Sequence, residues 1–88
     1  MELAQLRIFA AVAREGSFTR GAKKLYISHS TTSRAVAALE EELGVTLFER
    51  SNRILGLSPA GETLLAEAEA LLARAEAIRA KVKGNAEA

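Results

Sequence analysis

The stretch Ser28–Gly44, SHSTTSRAVAALEEELG, is lopsided. Its front holds five hydroxyl side chains, His29 and Arg34, its middle is small and apolar, and its rear holds Glu40, Glu41 and Glu42. Ser28 predicts a helix N-cap, because a serine hydroxyl accepts one of the N–H groups orphaned at a helix start. Thr32, Val36, Leu39 and Leu43 follow one another at four-three-four spacing, the buried stripe of that helix. Ser30, Ser33, Arg34 and Ala37 fall on other faces, and Gly44 stands where a left-handed residue closes a helix. A helix that only fills a core has no need of a hydroxyl-rich head with a cation in it.

Upstream, Leu3, Leu6, Phe9, Ala10 and Ala13 recur at helical spacing and predict a first amphipathic helix, with Gly16 as its stop. Ser17 then caps a short second helix that turns Phe18, Ala22 and Leu25 inward and ends near Tyr26. Ile27-Ser28 makes a tight connection to the third. Downstream, VTLFER and ILGL are short, apolar and partly β-branched, with Ser51-Asn52-Arg53 between them, so two strands of a hairpin are expected. Ser58-Pro59 restarts a helix, with proline at the first position, where its missing N–H costs nothing. Leu64, Ala68, Leu71, Ala75, Ile78 and Val82 then alternate four and three apart as a heptad seam, widened by Leu65 and Leu72. Lys81 and Lys83 suit a last turn and Gly84 a stop, so residues 84–88 are expected to fray. From Pro59 to Lys83 such a helix is about 37 Å long. A lone apolar stripe is more often core than interface, but a helix this long overhangs a small three-helix body. Part of its seam therefore calls for a second chain, and alanine at two of six seam positions suits close approach.

An 88-residue chain supports one small domain plus an extension, here residues 1–58 and the helix 59–83. With no cysteine, disulfides and thiolate metal sites are excluded. No run approaches a membrane span, and the amphipathic first residues are unlike a signal peptide. An enzyme finds little support: there is no Asp, a single His and no phosphate-binding glycine loop, so no catalytic residue, cofactor site or metal site is expected. The net charge of +1 argues little, but its distribution argues more. Between Gly16 and Leu39 there is no acid, while Arg20, Lys23, Lys24 and Arg34 are cationic. Such a span is a directional field suited to a polyanion.

Helix, helix, tight turn, helix, hairpin, long helix is the order of a winged helix-turn-helix, a mainly α fold with a two-stranded β wing. LRIFAAVAREGSFTRGAKKLYIS, SRAVAALEEELGVTLFER and LSPAGE, in that order, strongly resemble the amino-terminal domain of LysR-type transcriptional regulators. The resemblance covers roughly Leu3 to Lys83. It implies a bacterial, cytoplasmic regulator that binds double-stranded DNA as a homodimer through antiparallel linker helices. A larger ligand-sensing domain normally follows, and this chain stops where that domain would begin.

What the resemblance implies for single residues is specific. The third helix lies in the major groove, N-terminal end first, so Ser28, His29, Ser30, Thr31, Ser33 and Arg34 form the contacting head. Thr32 fits the edge of the core instead. Such hydroxyl residues favour helix starts anyway, so the pattern alone is met equally by a head that caps and faces water. His29 stands where the family most often has Gln, which offers adenine a donor and an acceptor together. A neutral imidazole offers them on opposite sides of its ring, so base contact and a solvent-facing His29 both stand. Ser17, Thr19 and Arg20 would meet phosphate from the second helix. Lys23 and Lys24 either join them or form a solvated face. Gly21 replaces a customary Ala, for closer packing or by tolerance. Arg50 and Arg53 bracket the wing tip, where an arginine can enter a narrow minor groove. Arg50 could equally pair with Glu49. Ile54 and Gly56 stand at wing positions often polar in the family. Leu64, Leu65, Ala68, Leu71, Leu72, Ala75, Ile78 and Val82 would form the dimer seam. The rival is a winged-helix interaction module that dimerises without DNA; the acid-free span from Gly16 to Leu39 speaks against it.

Overall fold

The computed structural model describes residues 1–51 and 54–87, with side chains of the last helix described to Asn85. Four helices and one hairpin follow in the expected order: α1 (Leu3–Glu15), α2 (Phe18–Lys24), α3 (His29–Leu43), β1 (Phe48–Ser51), β2 (Ile54–Leu57) and α4 (Pro59–Glu87). The two strands pair antiparallel, with Phe48 opposite Leu57 and Ser51 opposite Ile54.

Three serines start three of the helices by the same chemistry. Ser17 Oγ accepts from the Arg20 N–H, Ser28 Oγ from that of Thr31, and Ser58 Oγ from that of Gly61. Ser58 does more than cap. It is buried, its hydroxyl donates to the Thr46 carbonyl, and its own N–H donates to the Leu47 carbonyl. The start of α4 is thereby stitched to the segment that enters the wing. Glu40 ties the same segment to α3, its carboxylate accepting from the Leu47 N–H at 2.7 Å. A rear-end acid of α3 thus holds the wing in place, a role its sequence position did not announce.

Leu6 and Phe9 of α1, Leu39 of α3, Leu47 just before β1 and Ala68 of α4 make one buried cluster, flanked by Phe48, Leu57, Leu64 and Leu65. Each large apolar side chain so buried stabilises the fold by about 1.5–3 kcal/mol relative to an exposed one. The buried face of α1 is broader than its predicted stripe, taking in Ala11 and Val12, because α1 packs against α2, α3 and α4 at once. The predicted stripe of α3 holds for Thr32, Val36 and Leu39, but Leu43 lies beyond the body and is exposed. Thr32 is wholly buried, its hydroxyl returned to the Ser28 carbonyl at 2.9 Å.

Helix α2 ends at Lys24 and closes through Leu25 and Tyr26, near Tyr26 as expected. Its Gly21 is explained by packing: a Cβ there would come within 2.9 Å of the Val12 Cα. Bare backbone at Gly21 lets α2 lie directly on α1, offsetting the roughly 0.5–1 kcal/mol a helical glycine costs.

Two expectations for α4 are corrected. The helix does not stop at Lys83; it continues through Gly84 to Glu87. Glycine ends a helix when it turns left-handed, as Gly16 and Gly44 do with φ of 64° and 68°, and Gly84 does not. No proline follows it, and a single helical glycine costs only about 1 kcal/mol. The heptad seam is also not one surface. Ala68 is 1% exposed against the chain's own core, and Leu64 and Leu65 pack on that core too, so Ala68 is withdrawn from the expected dimer contacts. Leu72 and Ala75 are half-buried, whereas Leu71, Ile78 and Val82 are exposed.

Candidate nucleic-acid interface

The heads of α2 and α3 and the wing converge on one groove of about 430 Å³, lined by Gly16, Ser17, Phe18, Thr19, Arg20, His29, Arg50, Ile54 and Leu55. Five of the expected contact residues, Ser17, Thr19, Arg20, His29 and Arg50, therefore meet although they lie up to 33 positions apart in the chain. Thr19, Arg20, His29 and Arg50 are exposed and Ser17 is half-buried.

Phe18 organises this groove. Its ring lies 5.4 Å from that of Phe48, which lies 5.3 Å from that of Phe9 in the core. On its outer side the His29 ring sits 6.1 Å away and the Arg50 guanidinium carbon 5.8 Å from the ring centre. An aromatic column thus runs from the core to the groove and holds one residue of α3 and one of the wing. Arg50 therefore leans on an aromatic face, a contact of the cation–π kind. Sequence spacing marked Phe18 only as a buried residue. The signal that could have found it is a large aromatic directly after a capping serine, where a helix start leaves one side open.

Around the α3 head, hydroxyls are partly spent on the fold. Ser28 Oγ caps the helix and also donates to the Thr31 hydroxyl oxygen at 2.8 Å, with Ser30 Oγ 3.2 Å away. Ser33 is half-buried, its Oγ 3.4 Å from His29 Nδ1, which leaves Nε2 as the unengaged ring nitrogen among these contacts. Arg34, one turn into α3, is exposed, as are Ser30 and Thr31; these lie outside the groove lining. Arg20 is partly engaged, donating from Nη2 to the Glu15 carbonyl at 2.8 Å. Arg53 lies outside the described residues.

Ile54 is the residue that sequence reasoning underrated. It is 70% exposed at the start of β2 and lines the groove, an apolar tip among cations and hydroxyls. Among the described residues no cluster of three or more His, Cys, Asp or Glu could hold a metal ion, and no helix is long and apolar enough to cross a membrane.

A family model described as bacterial regulatory helix-turn-helix protein, lysR family, matches residues 3–62. The chain is 48% identical over 68 residues to the HTH-type transcriptional regulator ClcR of Pseudomonas putida, covering 77% of this chain and 23% of that protein. It spans about a quarter of the length of such relatives. Among solved structures it is similar to the BenM DBD–catB site 1 DNA complex, with a TM-score of 0.95 and 40% identity over 100% of this chain and 98% of that one. It is also similar to the CbnR DBD–DNA complex, with a TM-score of 0.88 and 38% identity over 98% and 99% of the two chains.

Proposed function

The chain belongs to the lysR family of bacterial regulatory helix-turn-helix proteins, and on that premise we propose that it is the DNA-reading part of a transcriptional regulator. In this proposal α3 enters the major groove by its N-terminal end and the wing meets the adjacent minor groove. The single observation that carries the reading is the convergence of the α2 head, the α3 head and the wing on one hydroxyl-rich, cationic groove. Its likeness to two DNA-bound domains over nearly the whole chain supports the same docking.

Different side chains carry different parts of the work. Ser17, Thr19 and Arg20 hold phosphate and set the orientation of the domain, while His29, Ser30, Ser33 and Arg34 meet base edges or the phosphates beside them. Thr31 and Ser28 serve mainly by ordering the head through their mutual hydrogen bonds. Arg50 and Arg53 serve the wing. Affinity comes largely from phosphate neutralisation and falls with salt, whereas selectivity comes from α3.

A second copy completes the site. Leu71, Ala75, Ile78 and Val82, with Leu72 at the margin, pack against the same helix of the partner in antiparallel fashion, presenting two α3 heads to a dyad-symmetric operator. The regulator acts at the chromosome, in the cytoplasm.

A gel shift with duplexes selected from a random library tests the reading. Arg34→Ala is expected to lower affinity by roughly 5- to 150-fold, the loss of about 1–3 kcal/mol for a base-reading arginine, and to relax the selected sequence. Arg53→Ala is expected to weaken binding with less change in sequence preference. Binding that is absent at low salt, or indifferent to both changes, removes the DNA reading.

A further inference from the structure

Three helices of this chain end with a residue in the left-handed conformation, and they do not choose the same residue. Helix α1 closes at Gly16 and α3 at Gly44, while the turn that closes α2 carries Tyr26 with φ of 58°. The α2 end is a complete Schellman motif: the Tyr26 N–H donates to the Lys23 carbonyl at 3.2 Å and the Ile27 N–H to the Ala22 carbonyl at 3.0 Å. Glycine meets this geometry without steric cost, and a bulky L-residue does not. Tyr26 recovers nothing by packing, since it is 96% exposed. The fold therefore gives no reason for a tyrosine where the same chain twice uses glycine.

Its surroundings give one. Tyr26 borders a hollow shared with Glu15, Arg20, Lys23 and Lys24. Glu15 is already drawn to Arg20, whose Nε stands 4.0 Å from its carboxylate. Arg20 also lines the groove between the α2 and α3 heads and the wing, so the hollow and that groove are neighbours that share Arg20. Both lysines are exposed, and Tyr26 stands two residues before the cap of α3. An aromatic with a hydroxyl donor, beside two cations at the edge of a cationic groove, matches a sugar–phosphate strand.

We propose that Tyr26, Lys23 and Lys24 form a second DNA-backbone contact, on the strand flanking the base pairs that α3 meets. The phenol donates to a phosphate oxygen, the ring lies along the deoxyribose, and the two ammonium groups neutralise neighbouring phosphates. This rests on the DNA-binding reading and extends it: the contact adds affinity without sequence preference and lengthens the protected duplex.

The test compares the chain with Tyr26→Gly, Tyr26→Phe and the double variant Lys23→Ala/Lys24→Ala. The probe is a duplex selected by the parent chain from a random library, carrying about ten flanking base pairs on each side, one helical turn. Tyr26→Gly is expected to melt higher, by about 4–8 °C for a domain of this size, and yet to bind roughly 10- to 150-fold more weakly, the worth of a hydrogen bond to a charged group. Tyr26→Phe loses the hydroxyl part of that affinity with the melting point unchanged. The double lysine variant lowers the slope of log affinity against log salt by up to about two. Parent-like binding by Tyr26→Gly overturns the proposal and leaves the tyrosine to a protein partner. A lower melting point for Tyr26→Gly overturns it too, by giving the side chain a role in the fold. If the parent selects no duplex at all, the DNA-binding reading falls and this contact with it.

Discussion

The two halves of α4 are alike in sequence and opposite in circumstance. Before about residue 70, Gly61, Leu64, Leu65 and Ala68 press into the body made by α1, α3 and the wing root. Beyond it, Leu71, Ile78 and Val82 repeat the same heptad spacing with 46%, 48% and 62% of their surface open. At 29 residues the helix is about 44 Å long, against molecular extents of 54 × 24 × 19 Å. A body that narrow can cover only one end of it. Identical periodicity thus serves two different tasks, one closed within the chain and one left for another surface.

The sharpest way to break this contrast is at the closed end. A Cβ on Gly61 would lie 2.1 Å from the Leu47 carbonyl oxygen and 3.0 Å from Leu57 Cδ2. Backbone cannot yield as a side-chain tip can, so the start of α4 must move off the wing root. Gly61→Ala is expected to destabilise by about 3 kcal/mol or more, the upper end for overpacked sites, read by urea unfolding. If Gly61→Ala unfolds at the same urea concentration as the parent, the two halves are not distinguished by packing.

At the open end the expected effect moves from folding to assembly. Ile78→Glu places a charge in the exposed seam without touching the chain's own core. Unfolding of the dilute chain should change by no more than about 0.5 kcal/mol, as for surface sites generally. Sedimentation should show the species halved in mass, and affinity for a two-half-site duplex should fall about 100-fold as avidity is lost. A variant that stays dimeric would move the interface elsewhere.

Much of this was legible in the chain, for identifiable reasons. Helix starts were, because Ser17, Ser28 and Ser58 act through their immediate neighbours, three residues on. So was the hairpin, and so were the residues that meet at the groove, once order and motif placed α2, α3 and the wing together. What escaped depends on contacts distant in sequence. Glu40 binding the Leu47 N–H and Phe18 bridging His29 and Arg50 are both invisible to periodicity. The division of the α4 seam escaped for the same reason: spacing says which residues share a face, not how far along it the neighbours extend.

The smallest expected effect lies at the boundary between the halves. Arg14 of α1 grips Glu69 from both Nε and Nη2, at 2.8 and 2.6 Å, just where α4 begins to leave the body. Geometry alone would make this a strong clamp. Both side chains are largely exposed, 59% and 42%, so water and salt screen the pair, and holding two long side chains in one arrangement costs entropy. Arg14→Ala is therefore expected to lower stability by about 0–1 kcal/mol, less at high salt. The neighbouring Ala68 contact, which is dry, should remain the true hinge point of α4. Hydrogen exchange can separate the two: in Arg14→Ala, amides up to residue 68 should keep their protection, and any loss should be confined to the half beyond. Loss of protection back to Gly61 would mean that an exposed ion pair, not apolar burial, anchors the helix.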